Sequence, residues 1–264
     1  MPIRDDHALA GDLATEAGER LLKLRARYGF EDQQALRDAG DRAAHVFLVE
    51  ALERLRPGDA VLSEEATHEE RTDPRRVSAR RVWIVDPLDG TREFGEEGRS
   101  DWAVHVALWE DGKLAAGAVA LPAQGRTLTT AEPPVLSRPE PGGRIRIAVS
   151  RSRPPQLVRD LADLVGAELM PIGSAGGKIS AVLSGEVEAY VHSGGQYEWD
   201  SAAPVAVALA SGAHASRVDG SALTYNRADP WLPDILVSLP DLAVTLLAGI
   251  RDLQSPRRKP NASA

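Results

Sequence analysis

The tightest constraint on what this chain can fold into is an apolar run that ends in two carboxylates. Trp83-Ile84-Val85 is followed at once by Asp86-Pro87-Leu88-Asp89-Gly90-Thr91. A short run of bulky apolar residues bounded by Pro and Gly suits a strand buried in a sheet. The loops at strand ends in α/β sheets are free of packing duties, and ligands bind there. Two hard oxygen ligands on a stiff turn suit Mg²⁺, which takes few carboxylates and keeps waters for its other positions. The amides of Gly90 and Thr91, if they open a helix, would point at an anion such as phosphate. An Asx-Pro turn followed by a helix cap accounts for the same residues with no ligand at all.

The rest of the chain reads as alternating elements. Leu9, Leu13, Ala17, Leu21, Leu22 and Leu24 recur at helical spacing, predicting a helix over 5–28. A second helix is expected to start near Asp41, with Val46, Phe47, Val49, Leu52 and Leu55 as its stripe, and to stop at Pro57-Gly58. Ala60–Leu62 and Arg81–Val85 read as strands, separated by an Arg-rich polar loop over 66–80 that reads as solvated. Ala103–Leu108, Leu114–Leu121 and Arg126–Thr130 predict a meander, with a hairpin turn at Glu110-Asp111-Gly112-Lys113. Residues 132–143 hold four prolines and two glycines and mark a linker. Beyond it come strand 145–149, helix 155–165, strand 168–171, helix 177–183, strand 188–191, helix 201–210, strand 235–238 and helix 240–253. The expected class is α/β, a layered sandwich with two sheets. Its first lobe spans 1–135, its second 144–254, and 255–264 form a basic tail of one compact unit.

Composition narrows the function. The 264 residues carry 31 basic and 39 acidic side chains, a net charge of −8, which argues against a nucleic-acid polymer or an anionic membrane as partner. With no cysteine, thiolate nucleophiles, zinc ribbons and iron–sulfur clusters drop out. The six histidines are dispersed, show no metal-ligand spacing, and read as structural or exposed. No signal peptide or membrane-spanning run is visible, so a cytoplasmic location is expected.

Other acids sit at element ends. Ser63-Glu64-Glu65 follows a strand, Glu198-Trp199-Asp200 precedes a helix, and Asp41 is placed at a helix N-terminus. Each alone also reads as a cap or a solvated charge. Together the motifs resemble a known family. Asp86–Thr91 resembles the D-P-[IL]-D-G-T signature of the lithium-sensitive, magnesium-dependent phosphatase superfamily of inositol monophosphatase and fructose-1,6-bisphosphatase. Trp199-Asp200-Ser201-Ala202-Ala203 resembles its W-D-x-A-[AG] signature, and Ser63-Glu64-Glu65 its G-E-E element with Ser for Gly. Arg92-Glu93-Phe94 and Ser150-Arg151-Ser152-Arg153 are similar to elements of its CysQ-type 3′(2′),5′-bisphosphate nucleotidases, in their actinobacterial form.

The resemblance implies an αβαβα architecture and hydrolysis of 3′-phosphoadenosine 5′-phosphate to AMP and phosphate, in sulfate assimilation. It implies two or three Mg²⁺ ions held by Glu64, Asp86, the Leu88 carbonyl, Asp89 and Asp200. Asp41 and Thr91 would orient and deprotonate the attacking water, with Glu65 bonding a metal's water. Asp41 stands in Ala39-Gly40-Asp41-Arg42, where the family commonly has Thr-x-x-Asp. The substrate would meet Glu64, Leu88, Asp89, Gly90, Thr91, Ser150, Arg151, Lys178 and Asp200, with Arg151, Arg153 and Lys178 facing the distal 5′-phosphate. Gly194-Gly195-Gln196-Tyr197 would shape the base or ribose pocket. A homodimer is implied by the family. Gly173-Ser174-Ala175-Gly176-Gly177-Lys178 is Gly-rich but fails the P-loop spacing, and a plain helix-entry loop explains it as well. Inositol phosphate, fructose bisphosphate, all three substrates, or nucleotide and metal binding without catalysis remain alternatives.

Overall fold

The computed structural model describes residues 5–137 and 142–255; residues 138–141 of the linker and 256–264 of the basic tail lie outside the described residues. Two long helices open the chain, α1 (Asp6–Tyr28) and α2 (Gln33–Leu55). Asp5 caps α1 by accepting from Ala8 N, and Asp32 caps α2 by accepting from Ala35 N. The expectation that the second helix begins near Asp41 is therefore corrected. Asp32 supplies an earlier cap, and Asp41 lies in the middle of α2.

Strand β1 (Ala60–Ser63) leads through two short helices, α3 (His68–Arg71) and α4 (Pro74–Ser78), to β2 (Arg81–Asp89). The segment expected as a solvated loop is thus partly helical. Arg76 is buried there, and its guanidinium bonds the Asn226 side chain and the Arg227 carbonyl. After the single turn α5 (Thr91–Phe94) come β3 (Ala103–Glu110), β4 (Lys113–Leu121) and β5 (Arg126–Thr129). The first sheet has the order β1-β2-β3-β4-β5, with β1 parallel to β2 and the meander antiparallel.

The second half supplies β6 (Arg146–Ser150), α6 (Gln156–Val165), β7 (Glu168–Ile172) and α7 (Ala175–Leu183). It continues with β8 (Ala189–Tyr197), α8 (Glu198–Ala210), β9 (His214–Ser216), β10 (Trp231–Ser238) and α9 (Pro240–Gln254). Its sheet runs β7-β6-β8-β10-β9.

Strand alternation builds the layers. From β2, Trp83 and Val85 pack under α1 and α2, whereas Val82 and Ile84 face α7 and α8. From β10, Ile235 and Val237 face that same middle layer, and Leu236 packs under α6 and α9. The result is the expected αβαβα stack, with α7 and α8 between two sheets.

The central helix lies close to its sheet because β4 offers no side chain at Gly117. A Cβ there would stand 2.7 Å from Ala206 Cβ and 3.2 Å from the Ala203 carbonyl. Gly117→Val is expected to cost about 1–3 kcal/mol by overpacking. Urea unfolding should show the loss as a lower midpoint at unchanged slope; an unshifted midpoint would contradict the tight α8–β4 contact.

Candidate active site

Parallel pairing of β1 and β2 makes both strands deliver their C-terminal residues to the same edge. Asp86 and Asp89 lie at the end of β2, 1% and 7% exposed, with a register shift between them. Asp200 arrives from the first turn of α8, which starts at Glu198, three residues before the expected Ser201. Oxygens of Asp86, Asp89 and Asp200 all lie within 4.8 Å of one another. Glu64, just past β1, hydrogen-bonds Asp86 through its carboxyl group. Four acids predicted as metal ligands are thus gathered in one place, and the Leu88 carbonyl lies between the two β2 aspartates in the chain.

The three aspartates are held by backbone amides. Asp86 accepts from Leu88 N at 3.1 Å, and Asp200 from Tyr197 N at 2.6 Å. Asp89 accepts from Ala175 N at 3.1 Å and Gly176 N at 2.6 Å, so the N-terminus of α7 is docked on it. Gly176 and Gly90 are required for this docking. A Cβ on Gly176 would collide with His105, and one on Gly90 (φ +83°) would come 2.8 Å from Ser174 Cβ.

The electrostatics follow from crowding. Burial pushes Glu64 up to about 7, with Asp200, Glu65 and Asp89 adding to it. Burial, Glu64 and Asp89 hold Asp86 well above the carboxylate range. Burial and then Asp89 raise Asp200 to about 6. Asp89 differs: burial opposes ionisation there, but His105, the Gly176 amide and Lys178 outweigh it and hold the carboxyl below its usual value. Of the four carboxylates, Asp89 and Asp200 have His105 and Lys178 as basic neighbours. A hard, all-oxygen donor set with more negative charge than its surroundings neutralise fits a divalent cation such as Mg²⁺.

Beside the acids, Thr91 Oγ1 lies 3.4 Å from Asp41 Oδ1 and 3.1 Å from the Leu88 carbonyl. Gly40 permits this approach of α2, since a Cβ there would stand 2.7 Å from the Phe94 ring. Burial, then Glu65, raises Asp41 to about 7. Glu65 itself is exposed.

The second-lobe residues are less directly placed. Ser150 is half-buried at the end of β6, and its hydroxyl accepts from Arg153 N at 3.4 Å. Arg151 is already paired, with Glu93 at 2.9 Å and Glu96 at 2.9 Å, and Arg153 is exposed. Lys178 is buried, donates to the Ser174 carbonyl and lies 5.5 Å from the centre of the Tyr190 ring. Gly194–Tyr197, expected to shape the base or ribose pocket, complete β8, which runs to Tyr197 where the expected strand ended at Val191.

His105 was missed by sequence reasoning. It is fully buried on β3, with Nδ1 3.0 Å from the Trp199 carbonyl and Nε2 3.1 Å from Asp89. Its only signal was a lone imidazole inside the apolar run Ala103-Val104-His105-Val106. Glu198 was likewise read only as part of the Trp-Asp motif. It is buried and accepts from Asn226 N and Arg227 N, fixing the segment that Arg76 grips from the other side.

Comparison with known proteins gives the family and the fold. The inositol monophosphatase family model covers residues 7–247, and the chain belongs to that family. It is 51% identical over 260 residues to a Mycobacterium leprae (strain TN) protein named 3′-phosphoadenosine 5′-phosphate phosphatase, covering 94% of both chains. It is 32% identical over 240 residues to the 3′(2′),5′-bisphosphate nucleotidase CysQ of Salmonella typhimurium, covering 83% of this chain and 94% of that one. Among solved structures, inositol monophosphatase-II from Staphylococcus aureus superposes with a TM-score of 0.74 at 24% identity over 91% and 93% of the two chains. Mycobacterium tuberculosis SuhB gives 0.70 at 24% identity over 94% and 96%, and both show the shared fold. The family's phosphatases are metal-dependent, and the acidic cluster is where this chain offers metal ligands. Among the described residues no helix is long and apolar enough to cross a membrane.

The raised acids carry a stability signature. Asp41, Glu64 and Asp200 retain protons in the fold that the unfolded chain releases at its ordinary values of 3.8 to 4.5. The folded state therefore binds more protons between about pH 4 and pH 7, and stability falls as pH rises through that window. Urea unfolding in a chelator should show this fall, and Mg²⁺ should restore stability most at the alkaline end. A chelated protein that gains stability from pH 4 to 7 would contradict the crowding.

Proposed function

We propose that this chain is a Mg²⁺-dependent phosphomonoesterase that hydrolyses 3′-phosphoadenosine 5′-phosphate to AMP and phosphate. The observation that carries the proposal is the convergence of Asp86, Asp89 and Asp200 beside the Asp41–Thr91 pair. Sequence identity of 51% to a protein named for that activity supports the substrate. Glu64, Asp86, the Leu88 carbonyl, Asp89 and Asp200 would hold two or three ions. Bound there, Mg²⁺ supplies charge neutralisation for the dianionic ester, a more acidic water and stabilisation of the leaving alkoxide.

The chain's own groups do the positioning. Thr91 donates its hydroxyl hydrogen bond to Asp41, leaving Oγ1 lone pairs to accept from the attacking water, whose proton replaces the Thr91 proton as that one moves on to Asp41. Asp41, kept from full ionisation by burial and Glu65, is tuned to take up a proton near neutral pH. Glu65, exposed on the open side, would bond a metal's water, and the Gly90 and Thr91 amides would face the phosphoryl oxygens. Attack by water inverts phosphorus and forms no phosphoenzyme. Residues 1–135 would thus carry most metal ligands, while the lobe 144–254 selects the substrate through Ser150, Arg151 and Lys178. Arg151 engages the 5′-phosphate by exchanging Glu93 and Glu96 for it. A cytoplasmic location and a homodimer belong to the same reading.

The test is phosphate release with Mg²⁺ from 3′-phosphoadenosine 5′-phosphate, inositol 1-phosphate and fructose 1,6-bisphosphate. A kcat/KM preference for the nucleotide of at least about tenfold, roughly 1.4 kcal/mol, is expected. Comparable values on all three would make the enzyme a broad phosphatase, and release from none would end the proposal. Asp86→Asn and Asp200→Asn should each lower turnover by about 10³-fold or more, and near wild-type rates in either would refute the ligand assignment. Thr91→Ala should reduce kcat by about 10²–10⁴-fold while changing the Mg²⁺ requirement far less.

A further inference from the structure

An aromatic ladder runs to the surface from Trp199, the chain neighbour of Asp200. Trp199 is buried, and Tyr197 stacks on it with ring centres 4.7 Å apart and planes 12° apart. Trp231 meets Tyr197 edge-to-face at 5.3 Å, the two residues being register partners across β8 and β10. Tyr197 and Trp231 remain 39% and 43% exposed. Among the described residues they are the exposed aromatic pair in ring contact.

The ladder is rigid where it joins the site. Tyr197 N donates to Asp200 at 2.6 Å, and the Trp199 carbonyl accepts from His105, which faces Asp89. At the outer end, Trp231 lies so close to the α-carbon of Gly195 (φ +91°) that any Cβ there would fall inside the indole. Asp229 accepts from Trp231 N at 3.1 Å, and Glu198 N donates to the Pro230 carbonyl at 2.9 Å. These contacts prepay the ordering that an aromatic surface otherwise loses on binding.

We infer that Tyr197 and Trp231 form a stacking shelf for a purine base, and that this shelf selects nucleotides over base-free phosphate esters. The inference rests on the nucleotide reading above and deepens it. A flat π-system gains from stacking on exposed aromatic faces, and such contacts act on any base while giving a polyol ring little. The shelf is tied through one backbone amide to Asp200, so a base on it belongs to the same ligand whose phosphate meets the acids. Exposed aromatic area rimming a polar site is the usual mark of a ligand surface.

The test separates base from phosphate. Calorimetric titrations with Mg²⁺ compare AMP and ribose 5-phosphate on wild type, Trp231→Leu, Tyr197→Leu and Trp231→Phe. Trp231→Leu and Tyr197→Leu should each weaken AMP at least about fivefold more than ribose 5-phosphate. Trp231→Phe, which keeps a ring, should recover most of that difference. In turnover, the leucine variants should raise KM for the nucleotide more than they lower kcat. Circular dichroism and melting identify any variant that fails to fold, in which case Trp231→Phe and the other leucine variant decide.

Equal losses on both probes, or none on either, would overturn the shelf. So would a wild-type dimer that dissociates in Trp231→Leu, since the pair would then be an interface between copies. A wild type that prefers AMP yet releases no phosphate from the bisphosphate would sink the phosphatase reading and leave the shelf. Phosphate release with no preference for AMP over ribose 5-phosphate would do the reverse.

Discussion

Repulsion among buried carboxylates is the interaction around which this molecule is organised. Asp86 and Asp89 are almost wholly buried, and Glu64 and Asp200 lie against them. Burying even one unpaired carboxylate is costly, and clustering several compounds the cost. The fold contains it by supplying donors from every side: the Leu88, Ala175, Gly176 and Tyr197 amides and the His105 imidazole. Elements far apart in sequence are thereby committed to one point. β1 and β2 end there in parallel, α7 and α8 begin there, and α2 passes beside it.

Much of this was legible in the chain because its signals are local. The buried strand into Asp86-Pro87-Leu88-Asp89, the meander turn at Asp111-Gly112 and the alternation of the second half follow from periodicity and turn chemistry. What the sequence hid was set by contacts between distant segments. The start of α2 was misplaced because Asp32 is an earlier cap than Asp41, and the Gly40-Asp41 step reads as a helix start although Leu36, buried before it, already belongs to the helix. Arg76 looked solvated in a run of arginines, yet it is buried because Asn226 and the Arg227 carbonyl satisfy its guanidinium. His105 carried no spacing that could link it to Asp89 or to the Trp199 carbonyl.

The basic groups explain how an acidic chain can receive an anion. Lys178 is buried against the Ser174 carbonyl and Tyr190, and Arg151 is held by Glu93 and Glu96. Neither stands as a bare cation: Arg151 is held by two carboxylates and Lys178 by a backbone carbonyl. Burial lowers the Lys178 pKa, while Asp89 and Glu93 work in the opposite direction. The proposed exchange of Arg151 from Glu93 and Glu96 to a phosphate would draw on this stored charge, and would favour a bisphosphate over a weaker anion.

Rigidity around the acids also decides what kind of ligand the site can distinguish. Arg25 donates to the carbonyls of Glu93, Phe94, Glu96 and Arg99, locking the segment that follows Thr91. On the opposite side Glu198 and Arg76 lock residues 226 and 227, and with them the approach to Trp231. In the proposed reaction phosphate chemistry would need only the first of these, since Thr91 and the carboxylates would act on atoms that every phosphate monoester shares. The second holds nothing that reacts. Its cost in buried charge at Glu198, which burial raises to about 7, makes sense if the surface it fixes has its own ligand group to meet. On the proposed reading, catalysis and substrate choice would rest on separate supports that meet at Asp200, through its carboxylate and the Tyr197 amide.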